Sequence, residues 1–141
     1  MANSSFDFWQ NHSLRFLEMA FRTDKREALK HPDGYGKQSR ECGDTIEMFL
    51  MVRNGKVKSA SFETNGCIYS VACANTVIHL AEGKTLEEAR RITVEDVTTY
   101  LETLPEKEEH CARLAVRSLR SALSNSLETQ RDPWKKFYRS H

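Results

Sequence analysis

No stretch of this 141-residue chain stays apolar for the roughly 20 residues that a membrane-spanning helix requires, so no helical membrane anchor is expected. Charge of one sign is just as scarce. Lys and Arg number 21 against 20 Asp and Glu, which leaves no overall field to draw the chain to nucleic acid or a membrane surface. Nor is a secretory signal expected: Met1 to Asp7 is polar, and Arg, Glu and aromatic residues mix in the segment after it. The expected location is therefore the cytoplasm, where thiols stay reduced and a disulfide framework is disfavoured. There is no internal repeat, low-complexity segment or domain-scale linker, and the length suits one ordinary domain with a single core.

What the chain does have is four cysteines, three of them in company that suits chemistry: Cys42-Gly43-Asp44, Gly66-Cys67 and His110-Cys111. Three thiolates with a neighbouring carboxylate and imidazole would form a soft, anionic pocket suited to iron–sulfur or zinc. The competing reading is that some or all are buried core thiols, the commoner fate of a cysteine. Cys73 falls on that side: six residues after Cys67 on a helix, it points some 120° away at about 100° per residue, and it is expected to pack with Val77 and Leu80. His12, His31, His79 and His141 show no metal-ligand spacing.

Whether the thiols meet depends on the segment between the first two. Residues 45–53 favour a pleated surface, Asn54-Gly55 is a strong hairpin signal, and residues 56–64 alternate on the return. A two-residue loop pairs Arg53 with Lys56, Val52 with Val57 and Phe49 with Ala60. Continued to the open end, that register sets Cys42 opposite Cys67 unless a bulge intervenes.

Around the hairpin (44–64) the pattern is helical. Phe6, Trp9, Leu14, Leu17 and Phe21 predict a helix within residues 5–29, ended by the turn sequence His31-Pro32-Asp33-Gly34. Residues 35–41 read as a polar connector. Ile68 to Leu80 is apolar on almost every face and predicts a buried helix. A capping box at Thr85 begins a short helix to Ile92, and Thr93 begins another that carries Val94, Val97 and Leu101 inward up to Leu104-Pro105. A last helix is expected from Glu106 to Ser124, with Cys111, Leu114, Ala115, Leu119 and Ala122 on one stripe and Arg113, Arg117 and Arg120 on a solvated face. The fold class is α+β, a small antiparallel sheet with helices packed on it. Along the chain this gives an N-terminal helical segment (1–30), a central unit (31–125) and a tail (126–141). The aromatic and basic run Pro133 to Arg139 within the tail reads as packing or a frayed end rather than a single-strand nucleic-acid site.

From about His31 to Asn125 the chain resembles the IscU/NifU-type iron–sulfur cluster assembly scaffolds. The resemblance rests on His31-Pro32-Asp33-Gly34-Tyr35-Gly36, Cys42-Gly43-Asp44, the hairpin, Gly66-Cys67, Gly83-Lys84-Thr85-Leu86-Glu87-Glu88-Ala89, and Leu104-Pro105 leading to His110-Cys111. It implies a SufE/NifU-like fold and a binding and carrier protein rather than an enzyme. Such a scaffold builds a 2Fe-2S cluster with sulfur from a cysteine desulfurase and passes it to apo iron–sulfur proteins, a homodimer on cluster binding being one option. Cys42, Cys67 and Cys111 become thiolate ligands on this resemblance, Asp44 an alternative ligand that keeps the cluster labile, and His110 a nearby imidazole. Iron is the expected metal, with Zn2+ able to occupy the isolated protein, and Cys111 is the expected persulfide acceptor.

The chain departs from the family in two places. Ile68 and Tyr69 are bulky where small residues are usual after the second cysteine. Glu108 stands where many members carry the lysine of a segment offered to a dedicated chaperone, which argues against that delivery route. The rival reading is a zinc-bound sulfurtransferase or persulfide carrier of the SufU kind. That branch carries an insertion between its second and third cysteines and lacks the preceding histidine; here 44 residues separate Cys67 from Cys111, and His110 is present. A purely structural zinc module ranks last, because the expected core is large enough without metal.

Overall fold

The structure, a computed structural model, describes residues 10–41 and 43–134. Every second residue of strand β2 (Thr45–Arg53) is a large apolar side chain directed at the helices: Ile46, Met48 and Leu50 are all fully buried. The same period of two on β3 (Lys56–Thr64) buries Ala60 and Phe62 beside them. Asn54 and Gly55 turn the chain with φ of 53° and 72°, the positive values a tight hairpin loop needs. Val52 pairs with Val57 and Arg53 with Lys56, as the two-residue loop demands.

One residue further the ladder shifts. Met51 pairs with Ser59, so Lys58 is an extra residue on the return strand, and Ala60 faces Leu50 while Phe49 faces Ser61. The expected pairing of Phe49 with Ala60 is thus corrected by a bulge, and the expected opposition of Cys42 and Cys67 loses its register. The ladder ends at Ile46 and Thr64. Beyond it a side chain replaces the backbone pairing: Thr45 N donates to Asn65 Oδ1 at 2.8 Å, and Asn65 Nδ2 donates to Gly43 O at 3.1 Å.

The segment expected as a connector is a third strand. β1 (Gly34–Ser39) pairs antiparallel with β2, Tyr35 opposite Phe49 and Lys37 opposite Glu47, giving the sheet order β1-β2-β3. On the outer face the Tyr35 hydroxyl donates to Glu47 Oε2 at 2.6 Å, and its ring lies 5.3 Å from that of Phe49.

Helices cover the other face. Among the described residues, α1 (Leu14–Phe21) is capped by Ser13 and stops well short of residue 29, while the expected helical positions Phe6 and Trp9 lie outside those residues. Asn75 Nδ2 donates to the carbonyls of Met19 and Arg22 at its end, and the chain then runs alongside β3, with Phe62 N donating to Lys25 O and Glu27 N to Phe62 O. That open sheet edge takes the backbone away from a helical path. The helix α2 (Ile68–Ala81) is buried on nearly all sides, Ala72, Cys73, Ala74, Val77 and Ile78 being wholly enclosed. Capping boxes at Thr85 and Thr93 begin α3 (Leu86–Arg90) and α4 (Val94–Leu101). A 3-10 turn (Glu106–Glu108) leads into α5 (Glu109–Arg131), which extends past the expected Ser124 because Ser126 and Thr129 continue its buried stripe. Arg113, Arg117 and Arg120 are exposed, as a solvated face should be: Arg113 pairs with Glu109, Arg117 donates to Gln38, and Arg120 donates to Ile92 O. No helix among the described residues is long and apolar enough to cross a membrane.

Candidate functional site

Two helix N-termini meet where the cysteines lie. Cys67 is the N-cap of α2, with extended backbone at φ −76° and ψ −177°, and its carbonyl accepts from Ser70 N and Val71 N in the first turn. Cys111 sits in the first turn of α5, three residues after Glu108, the residue that caps it. Residues three apart on a helical turn share a face, so Glu108 and Cys111 point the same way. The sulfurs of Cys67 and Cys111 and one carboxylate oxygen of Glu108 all lie within 4.8 Å of one another. Backbone amides at both helix starts favour negative charge there.

Burial divides the two thiols. Cys67 is exposed, whereas Cys111 is only 1% exposed. Burial pushes the Cys111 thiol up to about 11; a hydrogen bond from Ser70 opposes this, while the neighbouring Cys67 and Glu108 add to it. Ser70 Oγ lies 3.5 Å from Cys111 Sγ, and Cys111 Sγ lies 3.9 Å from Glu108 Oε2. Gly66 is required for the first of these contacts: a Cβ there would run into the Ser70 side chain, with the Ser70 Cβ only 2.8 Å away. Tyr69, one of the bulky departures, borders the site. Burial raises its hydroxyl pKa, followed by the charges of Glu108 and Cys67, and its ring packs 5.8 Å from Phe16 and 6.2 Å from His12.

Of the residues singled out from sequence, the structure brings Cys67 and Cys111 together. Cys42 lies outside the described residues. Its neighbours form a tight loop, Gly43 N donating to Arg40 O at 2.9 Å and Arg40 N to Asp44 O at 2.8 Å. Asp44 pairs with Arg40, Oδ2 3.7 Å from Nη1, and is not in the close donor group. His110 stands beside that group: Nε2 is 3.7 Å from Glu108 Oε2, and Nδ1 is 3.2 Å from Lys107 O. Cys73 is fully buried in the hydrophobic core, where burial raises its thiol well above the usual range. Sequence reasoning passed over two participants, Glu108 and Ser70. Their signal was spacing: each stands three residues from a cysteine on the same helical turn.

The donor chemistry fits iron or zinc. Two sulfurs and one oxygen suit a borderline-soft divalent cation better than Mg2+ or Ca2+, which prefer oxygen alone. Tetrahedral coordination at ordinary Zn–S and Zn–O lengths places donor atoms about 3.5 to 3.8 Å apart, so the observed group needs only a small contraction.

The model of the family described as NifU-like N terminal domain matches residues 24–132. The chain is 33% identical over 96 residues to an iron–sulfur cluster assembly scaffold protein IscU of Archaeoglobus fulgidus, a match that covers 67% of this chain and 63% of that protein. It is 34% identical over 105 residues to the iron–sulfur cluster assembly protein IscU of Plasmodium falciparum, covering 74% of this chain and 63% of that one. The matches thus span a little under two thirds of these curated relatives. The crystal structure of the N-terminal part of a NifU-like protein from Brucella abortus superposes with a TM-score of 0.65 at 19% identity, covering 82% of this chain and 94% of that one. That likeness shows a shared α+β fold. The family match covers most of the chain, and the chain belongs to the NifU-like N terminal domain family.

Proposed function

We propose that this protein is a scaffold on which an iron–sulfur cluster is built and from which it is handed on. The observation that carries the reading is the convergence of Cys67 and Cys111, 44 residues apart in sequence, with a carboxylate oxygen into one group of donors within 4.8 Å. A 2Fe-2S cluster, the cargo, needs more ligands than these. The Asn65 side chain ties the loop bearing Cys42 and Asp44 to the stretch two residues before Cys67, which supports that loop as the second wall of the site. His110, beside Glu108, is a further nitrogen donor in reach of modest movement. An oxygen or nitrogen ligand in place of a fourth thiolate leaves a cluster easier to release, and Asp44 is assigned that part.

Sulfur is proposed to arrive as the persulfide of a cysteine desulfurase. An acceptor thiolate attacks the outer sulfur, a new S–S bond forms on the scaffold, and the donor cysteine leaves as thiolate. Exposure supports Cys67 as the first acceptor over Cys111, because a buried thiol that holds its proton up to about 11 offers neither access nor nucleophile. A zinc-bound persulfide carrier is the second reading, since the same sulfur and oxygen donors suit Zn2+.

Anaerobic incubation with Fe2+, cysteine, a desulfurase and a thiol reductant that takes the persulfide sulfur to sulfide tests the scaffold reading. The expected result is visible absorption of a two-iron cluster that passes to an apo-ferredoxin, is lost in Cys67→Ala and Cys111→Ala, and survives in Cys73→Ala. Asp44→Ala should hold the cluster longer. A protein that forms no cluster, or forms one indifferent to Cys67 and Cys111, would overturn the reading.

A further inference from the structure

We propose that Glu108 is a metal ligand, so that the α2 and α5 termini hold a single Fe2+ or Zn2+ through Cys67 Sγ, Cys111 Sγ and a Glu108 oxygen without drawing on the strand-side loop. This rests on the reading that the two thiols take metal, and it adds a donor that the resemblance does not supply, since many relatives are expected to carry lysine at this position.

The geometry gives three reasons. The Glu108 carboxylate is the third member of the donor group, within 4.8 Å of both sulfurs, while Asp44 and His110 are not members. Its side chain is 21% exposed and turned inward, with Oε2 3.9 Å from Cys111 Sγ, near the separation of about 3.5 Å that sulfur and oxygen adopt around one tetrahedral cation. Its backbone closes the 3-10 turn before α5, Glu108 N donating to Pro105 O at 2.9 Å, so the carboxylate is presented from an ordered turn.

The supporting groups are also in place. The Ser70 hydroxyl orients Cys111 Sγ, and the His110 ring, its Nδ1 3.2 Å from Lys107 O, places Nε2 3.7 Å from the carboxylate. As metal binds, each thiol that ligates gives one proton to solvent, and the ion exchanges water for two thiolates and a carboxylate. One coordination position is then left for a ligand brought by the strand-side loop, by water or by incoming sulfide. On this account iron is first held as a lone ion between the helices, and the strand-side residues join when the second iron and sulfide arrive.

Anaerobic titration with Co2+, an optical probe of Zn2+ and Fe2+ sites, tests the assignment in the full-length protein. The wild type should show thiolate-to-cobalt bands with the intensity of at least two sulfurs and visible bands of a four-coordinate ion. Glu108→Gln, nearly identical in shape, should weaken binding at least about tenfold and shift the visible bands while the sulfur bands persist at saturation. Glu108→Lys should weaken binding further, and Glu109→Gln, one residue away, should change neither. Far-ultraviolet circular dichroism checks that each variant is folded. If folded Glu108→Gln binds Co2+ with the affinity and visible spectrum of the wild type, the assignment is overturned and the scaffold reading stands. If the wild type shows no sulfur bands at all, the metal reading of both thiols fails along with it.

Discussion

Cys111 Sγ lies 3.9 Å from Glu108 Oε2, so a buried thiol and a carboxylate face one another across one turn at the start of α5. With burial as the first cause, this neighbourhood pushes the thiol up to about 11, above the ordinary cysteine range. The protonated thiol is the uncharged form, so the folded protein keeps this proton through a pH range in which the unfolded chain has lost it. The resulting stabilisation is full below about pH 9 and is lost as pH rises toward about 11, about 2 to 3 kcal/mol in all. Denaturant unfolding of metal-free protein should therefore show wild type losing more stability over this range than Cys111→Ala. Parallel curves for the two would contradict the shift.

Exposure orders the thiols for chemistry. Cys67 is exposed, while Cys73 and Cys111 are buried. Brief treatment of the native, metal-free protein with iodoacetamide should alkylate Cys67 well before either, as read by peptide mass spectrometry, and prior loading with Zn2+ should protect it. Faster labelling of Cys111 would mean that the site opens in solution.

Gly66→Ala tests the link between backbone and sulfur. The added Cβ would collide with the Ser70 side chain, which hydrogen-bonds Cys111 Sγ. Relief by moving Ser70 should cost about 1 to 3 kcal/mol of stability and weaken Zn2+ binding roughly tenfold, measured by calorimetry. Ser70→Ala should reproduce the loss of affinity with less loss of stability.

Gly36→Ala tests the packing of α5 on the sheet far from the thiols. Its Cβ would stand 2.5 Å from both Ala122 N and Ser118 O, backbone atoms that cannot turn aside. The expected outcome is destabilisation of about 2 kcal/mol or more in urea unfolding, with metal affinity of the folded fraction unchanged.

That contact also explains why β1 was hidden in the sequence. Gly34-Tyr35-Gly36-Lys37-Gln38-Ser39 carries no apolar alternation, and its place is set by pairing with β2 and by a helix backbone close enough to require glycine. Where side-chain pattern governs structure, the sequence was legible: the Asn54-Gly55 hairpin, the capping box at Thr85, the helix start at Thr93 and the buried α2 all formed as read. Where tertiary contacts decide, it was not. The Lys58 bulge, the early end of α1 beside the β3 edge and the continuation of α5 to Arg131 depend on partners distant in sequence. At the site, the Gly66-Cys67 and His110-Cys111 contexts pointed to two sulfurs that do converge. Glu108 was noticed only as a departure from the family; its spacing from Cys111 is local, but the approach of Cys67 to the same turn is a contact between residues distant in sequence.

X-ray absorption at the zinc edge of the loaded protein tests the central claim most directly. At least two sulfur scatterers should surround each ion in the wild type, with one fewer in Cys67→Ala and one fewer in Cys111→Ala. An ion with fewer than two sulfurs, or a sulfur count unmoved by either substitution, would contradict the account.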